Sequence, residues 1–435
     1  MTPVLWHPEL SLHTPLGPRD ARELHMLAQA WAAELTRRGA RRLRLQRPDA
    51  TQTLVALAAA QQSGVDVLLT RAHSPAVAAA WPADMTADGL ALIPLTEPAP
   101  HTPCPGAGRI LLQTSGTSGP PKTAGHTLER LLGRLPPRRD DTAAERWLLC
   151  YPAASFAGLQ VVLSAARRGA MLAEAEEITV TALAALARTL RPTHISATPT
   201  CWRGLLAAGV SPAQPSGAAL GHITLGGETV DQGLLDALTR AFPGASLHQI
   251  YASTEAGALF TVKDRQAGFP ALWLTQGIDG VRMQLDPAGQ LLVHSPRCHV
   301  DHEDAAGWLA TGDMVEQRGE RCYFLGRGDA VVNVGGVKVH PEAVEAVLRQ
   351  CPGVADVCVR GHPNPITGQV VVADVVAQPG SDTVGLESIL RTHAAANLER
   401  PRRPAYYHWV AALPTGATGK TLRSSDSPSQ PQVLS

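Results

Sequence analysis

Residues 109–122 read RILLQTSGTSGPPK, so an apolar strand at 109–113 leads directly into a loop of small and hydroxylated residues that ends in Lys122. A strand that feeds such a loop places it at the carboxyl edge of a sheet, where α/β folds bind their ligands. Glycines let the backbone approach an anion, while hydroxyls and a lysine add donors and positive charge. The stretch therefore predicts a phosphate-binding loop on a parallel sheet.

This loop differs from the Walker loop, which has four residues between its glycines and a lysine directly after the second. Here two residues separate Gly116 from Gly119, and two prolines precede Lys122. A plain surface loop is the alternative interpretation. It does not explain why a lysine stands here in a chain that has only four lysines beside 34 arginines. Lys420, which ends a second glycine-rich segment, has a similar setting, and both lysines offer the compact ammonium that arginine lacks.

Helices and strands alternate on both sides of this stretch. Amphipathic periodicity predicts helices at 20–38, 51–63, 179–190, 200–208, 231–241, 341–350 and 384–396. Short apolar runs predict strands at 42–45, 65–70, 109–113, 194–196, 222–225, 247–250, 281–285, 290–294, 354–359 and 370–376. Alternation of this kind predicts an α/β fold with parallel sheets flanked by helices. The short strands and turns past residue 270 predict an antiparallel β region, and the pattern changes again at a domain boundary within 326–329.

Bulk composition excludes several classes of protein. A formal net charge of zero gives no argument for nucleic acid or an acidic membrane surface as a partner. Seven scattered cysteines without a C-x-x-C pair favour reduced thiols over a disulfide framework or a zinc site. No apolar stretch reaches ~18 residues, and the N-terminus lacks a secretory signal. We therefore expect a cytoplasmic protein with no nucleic-acid or membrane partner.

Two further segments carry hydroxyl or carboxylate groups near predicted strands. The first, YASTE at 251–255, offers oxygen ligands for phosphate and Mg²⁺; the alternative is a helix start with Thr254 as N-cap and Glu255 in the first turn. The second, WLATGD at 308–313, ends in Asp313, which would suit the paired hydroxyls of a ribose; the alternative is an ordinary turn aspartate. A Cys, His and Asp cluster at 298–304 is interpreted as a polar loop. For the segments 251–255 and 308–313, the residues alone leave both the ligand interpretation and its alternative open.

The order of these segments resembles the adenylate-forming superfamily, which comprises acyl- and aryl-CoA ligases, adenylation domains of peptide synthetases, and luciferases. Four motifs follow in the family order over about 105–425: TSGTSGPPK at 114–122, YASTE at 251–255, GWLATGD at 307–313 with GRGDAVVNVGGVKVHPEAVE at 326–345, and LPTGATGK at 413–420. The resemblance implies that a carboxylate attacks the α-phosphate of ATP to form an acyl-adenylate and pyrophosphate. A thiol then attacks the acyl carbon and releases AMP.

The resemblance also implies a role for each matching position. ATP phosphates would be held by Thr114, Ser115, Gly116, Thr117, Ser118, Gly119 and Lys122. The adenine and acyl pocket would be bordered by Gly226, Gly227, Glu228 and Tyr251. The α-phosphate and Mg²⁺ would be bound by Ser253, Thr254 and Glu255. The ribose would be bound by Asp313 with Arg327 beside it. Lys420 would bridge the substrate carboxylate and the α-phosphate.

The resemblance implies an α/β architecture in two parts. A large N-terminal domain consists of stacked α/β subdomains plus a β region, and a small mobile α+β C-terminal domain follows it. We place the N-terminal domain, with a shortened first subdomain, at 1–326, a hinge centred on Asp329 at 327–330, the C-terminal cap at 331–423 and a disordered tail at 424–435. In the family, rotation of the cap withdraws the Lys420 loop and presents the segment 334–338 to the thiol.

One segment departs from the family pattern. Where many CoA ligases have P-x-x-H-x-x-G, this chain has no histidine, and its substrate-pocket candidates are Ser155, Phe156 and Gly158. The aspartate of many amino-acid adenylation domains is also missing after Phe156. We therefore expect a small aryl or acyl carboxylic acid as substrate, ATP and Mg²⁺ as cofactors, and CoA or the phosphopantetheine of a separate acyl carrier protein as thiol. An adenylate-forming enzyme without a thioester product, or a non-catalytic nucleotide-binding homologue, remains the alternative.

Overall fold

The structure, a computed structural model, describes residues 5–71, 79–95, 108–113, 123–133, 135, 145–210, 220–295, 307–416 and 420–423. The predicted phosphate loop at 114–122, the cluster at 298–304 and the predicted tail at 424–435 lie outside these residues.

The described elements alternate as the sequence predicts. The helices are α1 (Ala21–Arg37), α2 (Ala50–Ser63), α3 (Leu128–Leu132), α4 (Phe156–Arg168), α5 (Val180–Leu190), α6 (Pro199–Ala207), α7 (Gln232–Ala241), α8 (Trp273–Gln276), α9 (Pro341–Leu348) and α10 (Thr383–Asn397), with 3₁₀ turns at Gly328–Ala330 and Arg400–Arg402. The strands are β1 (Ser11–Thr14), β2 (Gly17–Asp20), β3 (Arg42–Gln46), β4 (Asp66–Thr70), β5 (Met85–Asp88), β6 (Ala91–Pro94), β7 (Ile110–Gln113), β8 (Thr123–His126), β9 (Arg146–Leu149), β10 (Met171–Glu174), β11 (His194–Ala197), β12 (His222–Gly226), β13 (Ser246–Ser253), β14 (Gly257–Val262), β15 (Phe269–Pro270), β16 (Arg282–Leu285), β17 (Gln290–His294), β18 (Leu309–Arg318), β19 (Arg321–Arg327), β20 (Val332–Val334), β21 (Val337–Val339), β22 (Val354–Asn364), β23 (Gly368–Ala377) and β24 (Tyr406–Trp409).

Two mixed sheets form the α/β part of the molecule. One has the strand order β6-β5-β3-β4-β7-β8, and the other has the order β14-β13-β12-β11-β9-β10-β1-β2. The central strands of both sheets run parallel, and antiparallel strands close the edges. Helices α1, α2 and α4 fill the layer between the sheets in one hydrophobic core. Because α2 lies between both sheets, it is buried on nearly every side, and its run of alanines permits that close packing.

Local signals in the sequence fix where these helices begin. Asp20 caps α1, because its side chain accepts a hydrogen bond from the backbone N–H of Glu23 at 2.8 Å while Glu23 accepts one from the N–H of Asp20 at 2.9 Å. Asp49 and Gln52 repeat this capping box at α2. Each box satisfies two backbone donors that a helix start otherwise leaves free.

Helices α5, α6 and α7 pack on the opposite face of the β14-to-β2 sheet and form a second core. A five-stranded antiparallel sheet of β15 to β19 follows, with the order β15-β19-β18-β17-β16. The C-terminal part has its own sheet, β21-β20-β23-β22 with β24 beside β23, and a separate core against α9 and α10. The predicted α/β class, with a large N-terminal part and a separate α+β C-terminal part, is confirmed.

One interpretation offered for the YASTE segment is wrong. Thr254 and Glu255 do not start a helix; they lie in the turn between β13 and β14, which pair antiparallel. The strand predicted at 247–250 extends to Ser253, so the hydroxyl and carboxylate residues follow the end of a strand, at the sheet edge that the ligand interpretation requires.

Candidate functional site

A cavity of about 1370 Å³ opens between α4 and the polar face of the larger mixed sheet. Its lining on the helix side consists of Phe156, Ala157, Gln160, Val161 and Ser164. These positions recur at helical spacing, so a single stripe of α4 faces the cavity. The volume exceeds the roughly 300–1,000 Å³ usual for one small ligand, which leaves room for more than one substrate.

Strand alternation explains why the opposite wall is polar. Ile195, Ile223 and Leu247 are buried against α5 to α7. Their neighbours Ser196, Thr224 and His248 therefore point to the other face, where they line the cavity. The register pairs Ser196 with Thr224 and Thr224 with His248, so the three side chains form a row across the sheet.

The predicted substrate-pocket residues lie at the start of α4. Ser155 is its N-cap: the hydroxyl accepts a hydrogen bond from the N–H of Gly158 at 3.0 Å and donates one to the carbonyl of Pro152 at 2.8 Å. Ser155 and Phe156 line the cavity, but Gly158 does not. A Cβ on Gly158 would stand 2.0 Å from the Pro152 oxygen, so this glycine serves close backbone packing and is not a wall of the pocket.

Lys420 reaches the cavity from the C-terminal segment. A short hairpin carries it: Thr415 and Thr421 form a β-bridge, and the N–H of Leu422 donates to the carbonyl of Pro414 at 2.8 Å. Lys420 lines the cavity together with Gly226 and Gly227. Burial lowers the pKa of the ammonium group, while the nearby Glu228 carboxylate opposes that shift. A buried cation thus stands at the end of the sheet where strand β12 finishes.

The close approach of Lys420 to the backbone requires a glycine at position 227. Its φ is +84°, a left-handed conformation that side chains disfavour, and a Cβ there would approach the Cε of Lys420 to 3.2 Å. Glu228 does not line the cavity. Its carboxylate accepts hydrogen bonds from the N–H of Thr421 at 3.0 Å and the N–H of Thr200 at 2.9 Å. Glu228 therefore holds the hairpin that carries Lys420 against the N-terminal domain.

Tyr251, Asp313 and Arg327 form a linked group. The Tyr251 hydroxyl donates to the Asp313 carboxylate at 2.5 Å, and the Arg327 guanidinium lies 3.7 Å from that carboxylate. The Tyr251 ring stacks between Phe260 and Phe324 with centroids 5.0 and 4.9 Å away. Burial raises the pKa of Asp313, and Tyr251 and Arg327 act against this rise. The resulting carboxylate, held by the Tyr251 hydroxyl and the charge of Arg327, is a suitable acceptor for hydroxyl groups of a ligand.

The turn after β13 provides hydroxyl and carboxylate groups. Ser253 and Thr254 line the cavity, and the Ser253 hydroxyl accepts a hydrogen bond from the N–H of Ala256 at 3.0 Å. Glu255 makes no hydrogen bond or ion pair with any residue that the structure describes, so its carboxylate remains available. Among the described residues no group of three or more His, Cys, Asp or Glu side chains is placed to hold a metal. A lone carboxylate fits Mg²⁺, which keeps several waters and takes its other ligands from phosphates.

The predicted hinge lies between two sheets. Asp329 sits in the 3₁₀ turn Gly328–Ala330 that joins β19 to β20, and its carboxylate accepts from the Nε of Arg327 at 3.4 Å. Strands β20 and β21 form a hairpin whose turn contains Gly335 and Gly336, both at positive φ. This hairpin does not line the cavity.

Several residues of the site were not found from the sequence. Arg71 and Gln113, which follow and end strands β4 and β7, line the cavity. Arg423 binds Glu342 at 3.0 Å and Glu345 at 2.8 Å on α9. A polar residue directly after a buried strand was a usable signal for the first two. No local pattern marked Arg423, because its partners lie about 80 residues away in sequence.

Of the predicted site residues that the structure describes, it therefore brings most to one place. The cavity is lined by Ser155, Phe156, Gly226, Gly227, Ser253, Thr254 and Lys420. The neighbouring Glu228, Asp313 and Arg327 lie close enough to influence the charge of Lys420. No described helix is both long and apolar enough to cross a membrane.

Comparisons with known proteins give a consistent result. Residues 22–294 match the model of an AMP-binding enzyme, and residues 343–420 match that of the AMP-binding enzyme C-terminal domain. A probable 2-succinylbenzoate–CoA ligase of Mycobacterium tuberculosis is 29% identical over 338 residues, which cover 73% of this chain and 83% of that protein. The 4-chlorobenzoate–CoA ligase of Pseudomonas sp. is 30% identical over 295 residues, 62% of this chain and 52% of that protein.

Solved structures share the fold. A benzoate CoA ligase from Burkholderia xenovorans superimposes with a TM-score of 0.76 at 21% identity and covers 95% of both chains. The o-succinylbenzoate CoA synthetase of Bacillus subtilis, in complex with an acyl-adenylate intermediate, gives a TM-score of 0.69 at 19% identity, with 95% of this chain and 94% of that chain covered.

Proposed function

Because this chain belongs to the family of AMP-binding enzymes, we propose that it is an ATP- and Mg²⁺-dependent acid–thiol ligase. It activates an aromatic carboxylic acid as the acyl-adenylate and transfers the acyl group to CoA. The observation that carries the proposal is Lys420, a buried cation that the C-terminal segment delivers to a cavity in the N-terminal domain. The names of the relatives described above, all CoA ligases, support CoA as the thiol.

The first half-reaction needs charge stabilisation more than covalent chemistry. A carboxylate oxygen of the acid attacks the α-phosphorus of ATP, the bond from that phosphorus to the β-bridging oxygen breaks, and pyrophosphate leaves. Negative charge accumulates where the carboxylate of the acid meets the α-phosphate of ATP. Lys420, beside Gly227 at the end of β12, would neutralise it, and Thr254 would donate to the α-phosphate. Placing such groups before the reaction avoids reorganisation during it.

The nucleoside would lie beside the linked group. The Asp313 carboxylate, held by Tyr251 and Arg327, would accept hydrogen bonds from the two ribose hydroxyls. Glu255 would bind Mg²⁺, which supplies charge neutralisation at the phosphates. Gly226 and Gly227 would let the nucleotide approach the backbone, and the loop Thr114–Lys122 would complete the phosphate contacts.

An aromatic acid fits the walls of the cavity. Phe156, Val161 and Ile250 provide apolar surface, which suits the faces of a ring. Gly226 and Thr224 are two residues apart on β12, a distance of about 7 Å, close to the length of a benzoate. The Thr224 hydroxyl and the His248 imidazole form no hydrogen bond within the described part of the chain, so they remain available to a polar substituent at the far end of the ring.

The second half-reaction would follow a rotation of the C-terminal domain about Asp329. The rotation would withdraw the Lys420 hairpin and bring the β20–β21 hairpin, with Lys338, toward the thiol. The thiol sulfur then attacks the acyl carbon, and AMP leaves. Asp329 lies in the short turn between two sheets, where a few residues can absorb a backbone change.

Exchange of radiolabelled pyrophosphate into ATP, dependent on the added acid, tests the first half-reaction. A panel of benzoates, substituted benzoates and aliphatic acids should contain at least one that supports exchange, and CoA should then yield its thioester by mass spectrometry. Lys420→Ala serves as the matched inactive control. If no acid supports exchange, the ligase proposal fails; if exchange occurs but only free adenylate accumulates with CoA present, the thiol transfer fails.

A further inference from the structure

Arg71 is a half-buried cation that has no counter-ion among the described residues. It follows strand β4 directly and lines the cavity. It makes no ion pair or hydrogen bond with any other residue in the described ranges. Burial lowers the pKa of its guanidinium group, and no nearby carboxylate opposes that shift. Because burying a charge is costly unless it is paired, a bound anion would give Arg71 the partner that the described residues do not supply.

The adjacent sequence does not supply that anion. Residues 72–78 read AHSPAVA and residues 114–122 read TSGTSGPPK, and neither segment contains an aspartate or a glutamate. The two carboxylates that act on the charge of the neighbouring Lys420 are already bound to other groups. Glu228 binds Thr421 and Thr200, and Asp313 binds Tyr251 and Arg327.

Gln113 gives a second, independent observation. It ends strand β7, which runs parallel to β4 with Leu112 paired to Leu69. Gln113 lines the same cavity and is 8% exposed, and its Nε2 has no hydrogen-bond partner among the described residues. A buried amide donor normally has an acceptor, because leaving it without one destabilises the folded protein. Arg71 and Gln113 thus present unpaired donors to one cavity from the same edge of the sheet.

Lys420 adds a third positive or donor group. Its ammonium lies near enough to Arg71 that the guanidinium disfavours its charge. Two cations and an amide donor therefore converge on one cavity. An anion with several oxygens would satisfy all three, since a guanidinium presents paired donors that match two oxygens of a phosphate or carboxylate.

We propose that Arg71 and Gln113 form an oxyanion-binding subsite of the central cavity, occupied by the terminal phosphates of ATP and then by the departing pyrophosphate. The inference rests on the proposed function for the identity of the ligand. Gln113 leads directly into the predicted phosphate loop at Thr114, which favours phosphate as the source of the oxyanion. A second carboxylate on a dicarboxylic acid has the same chemistry and is the other source that the experiment must separate.

The role of the subsite follows from the balance of the first half-reaction. When the bond between the α-phosphorus and the bridging oxygen breaks, its electron pair goes to pyrophosphate, which gains negative charge. Donors already placed on that side stabilise the leaving group, while Lys420 serves the attacked phosphorus. Arg71 and Gln113 would therefore act on the leaving group and not on the acid.

The first arm of the test measures the affinity of the purified protein for magnesium pyrophosphate. The protein is titrated in an isothermal calorimeter with no acid present. Arg71→Met should weaken pyrophosphate binding about 10- to 100-fold, and Gln113→Leu should weaken it less. Arg71→Lys should retain part of the affinity that Arg71→Met loses. The matched control is Arg109→Met, since Arg109 directly precedes the same strand β7 but is exposed and paired with Asp66 at 2.8 Å. Arg71→Met should also keep or raise the melting temperature, because it removes an unpaired buried charge.

The second arm separates the two sources of oxyanion. Binding of 2-succinylbenzoate, a dicarboxylic acid, is compared with that of 4-oxo-4-phenylbutanoate and 2-butyrylbenzoate, which each keep one of its carboxylates. Loss of pyrophosphate binding alone in Arg71→Met assigns the subsite to phosphate. Loss of the preference for the diacid alone assigns it to a second carboxylate.

If Arg71→Met changes neither pyrophosphate binding nor any preference for the diacid, the subsite is overturned. It is likewise overturned if the wild-type protein neither binds pyrophosphate nor prefers the diacid. The wild-type protein could bind pyrophosphate through Arg71 and still exchange it into ATP with none of the acids in the panel. That result would refute the ligase proposal and support the subsite.

Discussion

Arg423→Met should slow adenylation and leave the later thiol transfer unchanged. Arg423 follows Lys420 by three residues, and its guanidinium contacts Glu342 at 3.0 Å and Glu345 at 2.8 Å on helix α9. Methionine has a similar length but no charge. The substitution therefore detaches the Lys420 hairpin from the C-terminal domain without removing any group that lines the cavity.

The size of the effect follows from what each carboxylate retains. Glu345 is 3% exposed but keeps the N–H of Val359 at 2.8 Å and the guanidinium of Arg349 at 3.2 Å. Glu342 is partly buried, and desolvation raises its pKa to about 7 while Arg423 acts against the rise, so without Arg423 it can take up a proton. The loss is therefore below the 3–5 kcal/mol of a broken buried pair and nearer to about 2 kcal/mol. That value corresponds to about a 30-fold lower population of the docked hairpin.

The assay is single-turnover formation of the acyl-adenylate, compared with transfer to CoA from adenylate supplied ready-made. Adenylation should fall about 30-fold, and transfer should match the wild type. Arg402→Met is the control, because Arg402 lies in the same domain but forms an exposed pair with Glu399 at 3.8 Å, which contributes little. Adenylation at the wild-type rate in Arg423→Met would refute the argument, as would equal losses in both half-reactions with an unchanged melting temperature.

Three further substitutions test other contacts. Gly227→Ala places a methyl group 3.2 Å from the Lys420 Cε in a left-handed conformation, which costs about 1–2 kcal/mol, so adenylation should fall about tenfold in single-turnover kinetics. Asp231→Asn keeps the N-cap of α7 but loses the ion pairs of its carboxylate with Arg203 and, at 3.9 Å, with Arg349 of the C-terminal domain; the loss of the Arg349 pair should lower adenylation roughly fivefold, with no loss of thiol transfer. Burial raises the pKa of Glu174 to about 8, so between about pH 4.5 and 8 the unfolded chain releases a proton that the folded chain retains. Stability is lost over that range, and Glu174→Gln should remove this part of the pH dependence of the urea midpoint.

The sequence predicted the helices and strands well where the apolar residues of a segment recur at one spacing. The helix predicted at 20–38 is found at Ala21–Arg37, since its apolar positions recur at helical spacing and Asp20 caps it. Residues 145–174 received no prediction, yet they hold β9, α4 and β10. The physical reason is that α4 depends on a cap at Ser155 and on packing against α2, which lies about 100 residues earlier in the chain.

The site was predictable in part because nucleotide contacts are made by short motifs at strand ends. Glycines and hydroxyls keep their spacing in sequence, so Gly227 and Thr254 could be recognised. The partners of those motifs could not. Glu228 matched a motif for the nucleotide, but the structure shows it holding Thr421, a contact between positions almost 200 residues apart. Such contacts depend on how the domains meet, which no local pattern encodes.

Two sets of contacts hold the Lys420 hairpin, and their unequal strength indicates how a rotation would proceed. On the N-terminal side two hydrogen bonds hold it, from the N–H of Thr421 to Glu228 at 3.0 Å and between the hydroxyls of Thr421 and Thr200 at 3.1 Å. On the C-terminal side the Arg423 guanidinium forms ion pairs with Glu342 and Glu345. These ion pairs join two charged groups, whereas each N-terminal hydrogen bond has at most one charged partner, so the contacts with Glu228 and Thr200 should break first. The lysine would then leave with the C-terminal domain, its pKa would rise toward the ordinary value as it regained water, and the cavity would lose the cation that favours the return of pyrophosphate.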